Sequence, residues 1–175
     1  ALHQLHQEDW SAMSNRLYAC IYIHRFLVTM ARRLNPALDG APVIIGGNHK
    51  QHGQVIELSP EALALGLCTG MATWVALHRC PQAILAKDLT GAARSLSSSV
   101  AHILDEFSPQ VEQMGLACFY LELTGGGPPL AEGRTIQERL RGDLTLATSV
   151  GLAANRLVAG IAARGQEAGA LTLVM

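Results

Sequence analysis

The chain is poor in charge and in aromatic rings. Thirteen Lys and Arg and 14 Asp and Glu make up 15% of its 175 residues, Phe, Trp and Tyr make up 5%, and the formal net charge is -1. A stand-alone nucleic-acid binder needs a basic excess, because phosphate contacts dominate its affinity, so any such binding here is confined to a local patch or to weak contact. No C-x-x-C pair occurs among Cys20, Cys68, Cys80 and Cys118, which removes a zinc knuckle and a secreted disulfide framework and leaves reduced packing residues. Apolar runs are broken by charge, Gly or Pro well short of the roughly 18 residues of a membrane span, and the polar N-terminus has no secretory apolar core. A soluble, cytoplasmic protein with no membrane partner is expected. What is present is a 49% hydrophobic composition, enough to offset ordering entropy in one compact domain.

Residues 1–15 carry His3, His6 and several Gln without apolar periodicity, the pattern of a disordered leader or an expression remnant, so the fold is sought in 16–175. Leu17 to Ile23 is apolar, β-branched and aromatic, a buried strand, and Phe26 to Leu34 follows at helical spacing until Asn35-Pro36 stops it. Val43 to Ile45 and Gln54 to Leu58 flank a Gly- and His-rich turn and predict an antiparallel hairpin. Ser59-Pro60-Glu61 supplies an N-cap, a first-turn proline and an acid at the start of a helix that closes near Gly66. A short helix from about Met71 to Leu77 and a strand at Ile84 to Leu85 come next. Leu89 to Phe107 then reads as an amphipathic helix with Leu96, Val100, Ile103 and Leu104 on one face. Val111 to Met114 and Leu116 to Leu123 read as paired strands, Gly125 to Pro129 as a flexible loop, and Thr135-Ile136-Gln137-Glu138 as a capping box. Strand, helix and strand at Thr148 to Leu152, Asn155 to Ala163 and Leu171 to Val174 complete the chain. The order, β-α-β-β-α-α-β-α-β-β-α-β-α-β, is α/β (α+β) and contains the split β-α-β pattern of ferredoxin-like domains.

Four stretches in sequence order carry a family resemblance. Asn35-Pro36-Ala37-Leu38-Asp39-Gly40-Ala41-Pro42-Val43 is similar to N-P-x-L-x-G-x-P-V; Glu61-Ala62 through Gly66-Leu67 to Gly70-Met71 is similar to E-A-R-x-x-G-V-x-x-G-M. Phe107-Ser108-Pro109 to Val111-Glu112 is similar to F-S-P-x-V-E, and Ser149-Val150-Gly151-Leu152-Ala153 with Asn155 and Ala159 is similar to S-V-G-I-A-x-N-K-x-x-A-K. Together they resemble the Y-family DNA polymerases, the DinB and UmuC kind that copy past DNA lesions, from about Leu17 to Val174. The resemblance implies a polymerase palm over 16–175 with a small fingers insertion at about 47–83, and no thumb or little finger in this chain.

Family chemistry is phosphoryl transfer with two magnesium ions held by strand-end carboxylates. Where the family has D-x-D-x-F the sequence has Tyr22-Ile23-His24-Arg25-Phe26. Where it has S-x-D-E-A-F-L-D, the sequence has Gly115-Leu116-Ala117-Cys118-Phe119-Tyr120-Leu121-Glu122. The resemblance therefore puts Tyr22, Ala117 and Cys118 at the three metal-binding positions and His24 at a fourth degenerate one, and leaves Glu122 as a residual acid. The family's triphosphate-binding tyrosine and arginine fall on Pro60 and Leu63, and the aromatic position that rejects ribose falls on Leu27. Palm lysines fall on Arg156, on Gly160 and near Glu167. A leucine cannot offer a fork of hydrogen bonds to phosphate. No catalytic residue, cofactor or metal is expected on this reading. The ImuB-like branch of the family, an inactive relative that recruits partners, implies a scaffold in DNA repair, translesion synthesis or the SOS response. Its partners would be the replication clamp or an active polymerase, and DNA would bind weakly or only with the missing domains. The alternative is an active magnesium-dependent nucleotidyltransferase with relocated ligands, for example Glu122 with Glu57 or Asp105.

Other candidates read more plainly. His49-x-x-His52, with His24 elsewhere, is a zinc pattern without a nearby Cys or acid pair. Cys118 as a catalytic thiolate has no activating sequence neighbour and reads as a small buried hydrophobe. Gly125-Gly126-Gly127-Pro128-Pro129 lacks the Lys-Ser/Thr of a phosphate loop. Arg25, Arg32, Arg33, Arg139 and Arg141 read as solvated helix faces rather than phosphate contacts.

Overall fold

A computed structural model describes residues 16–48, 53–86, 89–123 and 127–175. The expected leader at 1–15, the His49-x-x-His52 pair and Gly125-Gly126 lie outside the described residues. In chain order the elements are β1 (Leu17–Ile23), α1 (Phe26–Leu34), a 3-10 turn (Pro36–Leu38), β2 (Val43–Gly46), β3 (Val55–Leu58), α2 (Pro60–Ala64), α3 (Thr73–Arg79), β4 (Ile84–Ala86), α4 (Thr90–Asp105), β5 (Val111–Gln113), β6 (Cys118–Leu123), α5 (Pro129–Leu144), β7 (Thr148–Ala153), α6 (Arg156–Arg164) and β8 (Leu171–Val174). They form two compact units, one made of the chain up to His24 with Ser97–Met175, the other of Arg25–Leu96.

The first unit holds a five-stranded sheet in the order β5-β6-β1-β7-β8. Its central strand, β1, is antiparallel to both β6 and β7, and β8 is added parallel to β7. Because β6 lies between β1 and β5 and is antiparallel to β1 and to β5, these two run parallel with a strand between them. This is the split β-α-β arrangement the element order predicts. Leu17, Ala19, Cys20, Ile21 and Ile23 are all buried, so β1 is covered on both faces and reads as a continuous apolar run rather than an alternating one. On one face α5 lies against β7, with Gly133 close to the side chains of Val150 and Leu152. On the other face α6 packs so closely on β7 that a Cβ on Gly151 would run into the Ala159 carbonyl oxygen and the Ala163 nitrogen.

The second unit holds a three-stranded sheet, β3-β2-β4, with β2 antiparallel to β3 and parallel to β4. Ile44, Val55, Leu58, Ala62, Leu67 and Ala76 form its main core. Ser59 is fully buried and knits the turn into α2: its hydroxyl accepts from Ala62 N (3.3 Å) and Val43 N (2.9 Å) and donates to Ala41 O (3.3 Å). The glycines of the second matched stretch, Gly66 and Gly70, have φ of 79° and 81°, a left-handed backbone that side chains with a Cβ avoid.

Three local expectations are corrected. Thr135-Ile136-Gln137-Glu138 is not a capping box: α5 begins at Pro129, whose fixed φ and missing N–H suit the first helical turn. Thr135 thus sits inside the helix and donates back to Ala131 O at 2.9 Å. For the same reason Pro129 belongs to a helix start rather than to a flexible loop. The short helix expected from Met71 runs instead from Thr73 to Arg79.

The two kinds of glycine predict opposite effects. Gly151→Ala, meeting α6 backbone, should cost about 2 kcal/mol or more in urea unfolding. Gly142→Ala, on α5 with nothing within 4 Å of its Cβ position, should stabilise by about 0.5–1 kcal/mol. Equal effects would contradict the close packing of α6 on β7.

Candidate functional site

The β1 register gathers the positions that the family resemblance marks. Tyr22 lies opposite Cys118 on β6 and opposite Ser149 on β7, and Ile23 N donates to Ala117 O at 2.8 Å. Tyr22, Ala117 and Cys118 therefore stand together at one end of the sheet. The Tyr22 ring meets the His24 imidazole edge-on at 5.1 Å. Ser149 Oγ donates to Ala163 O (2.7 Å) and lies 2.8 Å from His24 Nε2, so the serine oxygen accepts from Nε2–H and selects that tautomer.

Behind Tyr22 the same face carries two thiols. Cys20 and Cys118 sit at diagonal positions of β1 and β6 with their sulfurs 3.7 Å apart. Arg164, the last residue of α6, donates from Nη2 to Cys118 Sγ at 3.3 Å and reaches the Tyr120 hydroxyl at 3.5 Å. The hydrogen bond from Cys20 and then the Arg164 guanidinium pull the Cys118 thiol down to about 6 against its burial. The Cys20 thiol is pushed well above its ordinary range by that same hydrogen bond and by burial. Arg156 lies 5.0 Å from the centre of the Tyr120 ring and pairs with Glu112 at 2.7 Å. A Cβ on Gly160 would meet the Tyr120 hydroxyl, so the place where the resemblance expects a lysine is taken up by tyrosine.

Of the three acids in the relocated-ligand alternative, Glu122 and Glu57 have partners. Glu122 pairs with Arg16 at 3.4 Å. In the second unit Glu57 accepts from Val28 N at 2.7 Å, and burial pushes its carboxyl up against the lowering effect of the Val28 and Leu27 N–H groups and Arg25. It thereby caps the first turn of α1, where acceptors are needed. Asp105 ends α4 and is exposed. Among the described residues no group of three or more His, Cys, Asp and Glu is placed to hold a metal ion. A phenol, a methyl group and a thiol at Tyr22, Ala117 and Cys118 do not fit magnesium, which takes hard oxygen ligands.

Leu27 is half-buried in the first turn of α1, Pro60 opens α2 behind the Ser59 cap, and Leu63 is exposed on α2. Arg32 is less free than a solvated face implies: Nη2 contacts Glu61 at 2.7 Å and Nε donates to Leu38 O. Arg139 pairs with Glu106 (2.9 Å) and Asp143 (3.1 Å). Arg25 stands in a left-handed conformation (φ 49°) just before α1. Arg33 and Arg141 are exposed. Sequence reasoning missed Arg164 altogether and named Ser149 and Glu112 only as motif matches, because their partners lie far along the chain.

A split β-α-β sheet interrupted after its first strand by a small α/β unit is the architecture of a polymerase palm carrying fingers. The impB/mucB/samB family model matches residues 21–164, and the chain belongs to that family of Y-family polymerase relatives. It is 34% identical over 154 residues to DNA polymerase IV of Dehalococcoides mccartyi, covering 86% of this chain and 40% of that protein. With DNA polymerase IV 1 of Bacillus subtilis it is 32% identical over 152 residues, 85% of this chain and 37% of that protein. Among solved structures it resembles the post-insertion binary complex of Dbh DNA polymerase with TM-score 0.84 at 21% identity, over 91% of this chain and 48% of that one. DinB from Sulfolobus solfataricus matches with TM-score 0.79 at 22% identity, over 90% of this chain and 48% of that one. The chain thus spans about two fifths of these curated relatives. No helix among the described residues is long and apolar enough to cross a membrane.

Burial of Glu57 sets a pH signature. Its folded pKa is raised, so the stability linked to its protonation is fully present below the ordinary glutamate range and is lost as pH rises through the folded value. Glu57→Gln keeps an acceptor for Val28 N and removes the charge. Relative to the parent, its melting temperature should gain most near pH 8 and show no gain near pH 4; a pH-independent difference would contradict the buried ionisable cap.

Proposed function

We propose that this chain is the palm-fingers part of a Y-family polymerase relative that does not itself transfer nucleotides and acts as a scaffold or accessory factor in DNA repair or translesion synthesis, including SOS-type responses. The observation that carries this reading is the register placing Tyr22 opposite Cys118 with Ala117 beside it. In-line phosphoryl transfer with two metals needs convergent carboxylates to bind the ions and offset developing charge. None is supplied at these three positions. The phosphate side is depleted in parallel, since Pro60 and Leu63 offer no side-chain donor and Arg156 is engaged by Glu112.

The alternative of relocated metal ligands has less support. Glu122 is held by Arg16, and Glu57 is spent on the start of α1. With a net charge of -1, DNA affinity falls to local contacts or to domains outside these residues. Partners consistent with the family resemblance are the replication clamp and an active polymerase.

Thermal unfolding with magnesium and a deoxynucleoside triphosphate tests the reading, because ligand at about 100 times Kd stabilises by about 2.7 kcal/mol. For a chain of this size that corresponds to a rise of roughly 5–11 °C. The expected result is no magnesium-dependent shift at millimolar nucleotide. A rise of several degrees would overturn the proposal and favour the enzyme reading.

A further inference from the structure

We infer that Cys118 and Cys20 form a peroxide-reactive dithiol, in which Cys118 is the attacking sulfur, Cys20 the resolving sulfur and the product an intramolecular disulfide between β1 and β6. The inference stands on three observations within the first unit and is independent of the proposed function. The sulfurs are 3.7 Å apart on adjacent strands, so disulfide length needs an approach of about 1.6 Å, which from diagonal positions includes a small shift of the two strands. A guanidinium donates to one of them and not to the other: Arg164 Nη2 lies 3.3 Å from Cys118 Sγ. The asymmetry assigns the roles, because the thiolate is the nucleophile and a cation beside it favours that form.

The groups facing Cys118 are Cys20 and Tyr22 from β1, Tyr120 from its own strand and Arg164 from α6. The Cys20 hydrogen bond and the Arg164 guanidinium favour the Cys118 thiolate, and the same hydrogen bond together with burial favours the proton on Cys20. Cys118 is 5% exposed at the first residue of β6, and Cys20 is fully buried. Of the two, Cys118 lies nearer solvent, and so slight an exposure disfavours bulky thiols in the mixed-disulfide route.

The chemistry balances with a hydroperoxide as the oxidant. The Cys118 thiolate attacks the terminal peroxide oxygen, an S–O bond forms, the O–O bond breaks, and the leaving oxygen takes a proton to become water or an alcohol. Cys118 is then a neutral sulfenic acid, so the charge that held the Cys20 proton is gone. Cys20 sulfur attacks Cys118 sulfur, the S–O bond breaks, and the departing hydroxide takes the Cys20 proton as water. Two electrons have passed from the two thiols to the peroxide. Oxidation ends the Arg164 contact with a thiolate and leaves its guanidinium with the Tyr120 hydroxyl.

The test is treatment of the whole reduced chain with a small molar excess of hydrogen peroxide, followed by intact mass and peptide mapping under non-reducing conditions. The exposed Cys68 and the buried Cys80 serve as internal references. The expected product has lost two hydrogen masses and contains a Cys20–Cys118 cross-link, formed at a rate that rises with pH below the range of an ordinary thiol. Cys20→Ala should stop at a sulfenic acid on Cys118 that dimedone traps, and Arg164→Met should slow the first step by about tenfold or more. Oxidation of Cys68 while Cys20 and Cys118 stay reduced would overturn the inference, as would cross-links between molecules only. The mapping on the unsubstituted chain decides the matter even where a variant fails to fold.

Discussion

The antiparallel register of β1 between β6 and β7 is the constraint on which the rest depends. Leu17, Ala19, Ile21 and Ile23 are buried on one face of β1 while Tyr18 and Tyr22 are half-buried on the other, so a slip by one residue would turn the whole inward set onto the wrong face of the sheet. The register is therefore fixed by packing, and it fixes in turn which side chains meet at the sheet's end. Tyr22, Cys118 and Ser149 are neighbours because Ala19, Ile21 and Ile23 have to be on the opposite face. Gly151, in line with Cys20, removes the one side chain that would hold α6 off the sheet, and that close approach brings Arg164 to Cys118.

Clustered carboxylates repel one another and raise each other's pKa unless a cation sits among them. With a tyrosine, an alanine and a cysteine in their place, the sheet end needs no metal to be electrostatically tolerable. The contacts at this end of the sheet are internal: a serine shared by His24 and the α6 backbone, a thiol pair leaning on one guanidinium, and a tyrosine against glycine where a longer side chain would project. The palm frame is kept and its polar end is closed on itself.

Much of the frame was legible in the sequence because it rests on local signals. Apolar strands, the Ser59 cap with Pro60 and the Asn35-Pro36 stop are each decided within a few residues. The capping box at Thr135 failed since an equally local signal, Pro129, begins the helix earlier. The site was legible only as a list of substituted positions in the family's motifs. Its actual contacts join residues 46 apart for Arg164 with Cys118 and 29 apart for Glu57 with Val28. No periodicity or turn chemistry encodes such pairs. They exist because the sheet order and helix packing bring them together, and for that reason Cys118 read as an inert buried hydrophobe.

The central claim is that the polymerase frame is intact and its metal positions are emptied at Tyr22, Ala117 and Cys118. The most direct measurement is an electron paramagnetic resonance titration with Mn2+, which reports free aqueous ion, on this chain and on the combined Tyr22→Asp, Ala117→Asp, Cys118→Glu variant, with circular dichroism to confirm folding. The account predicts that the parent chain leaves Mn2+ free at concentrations where the variant sequesters it. Stoichiometric Mn2+ binding by the parent would contradict the account, and so would a folded variant that gains none.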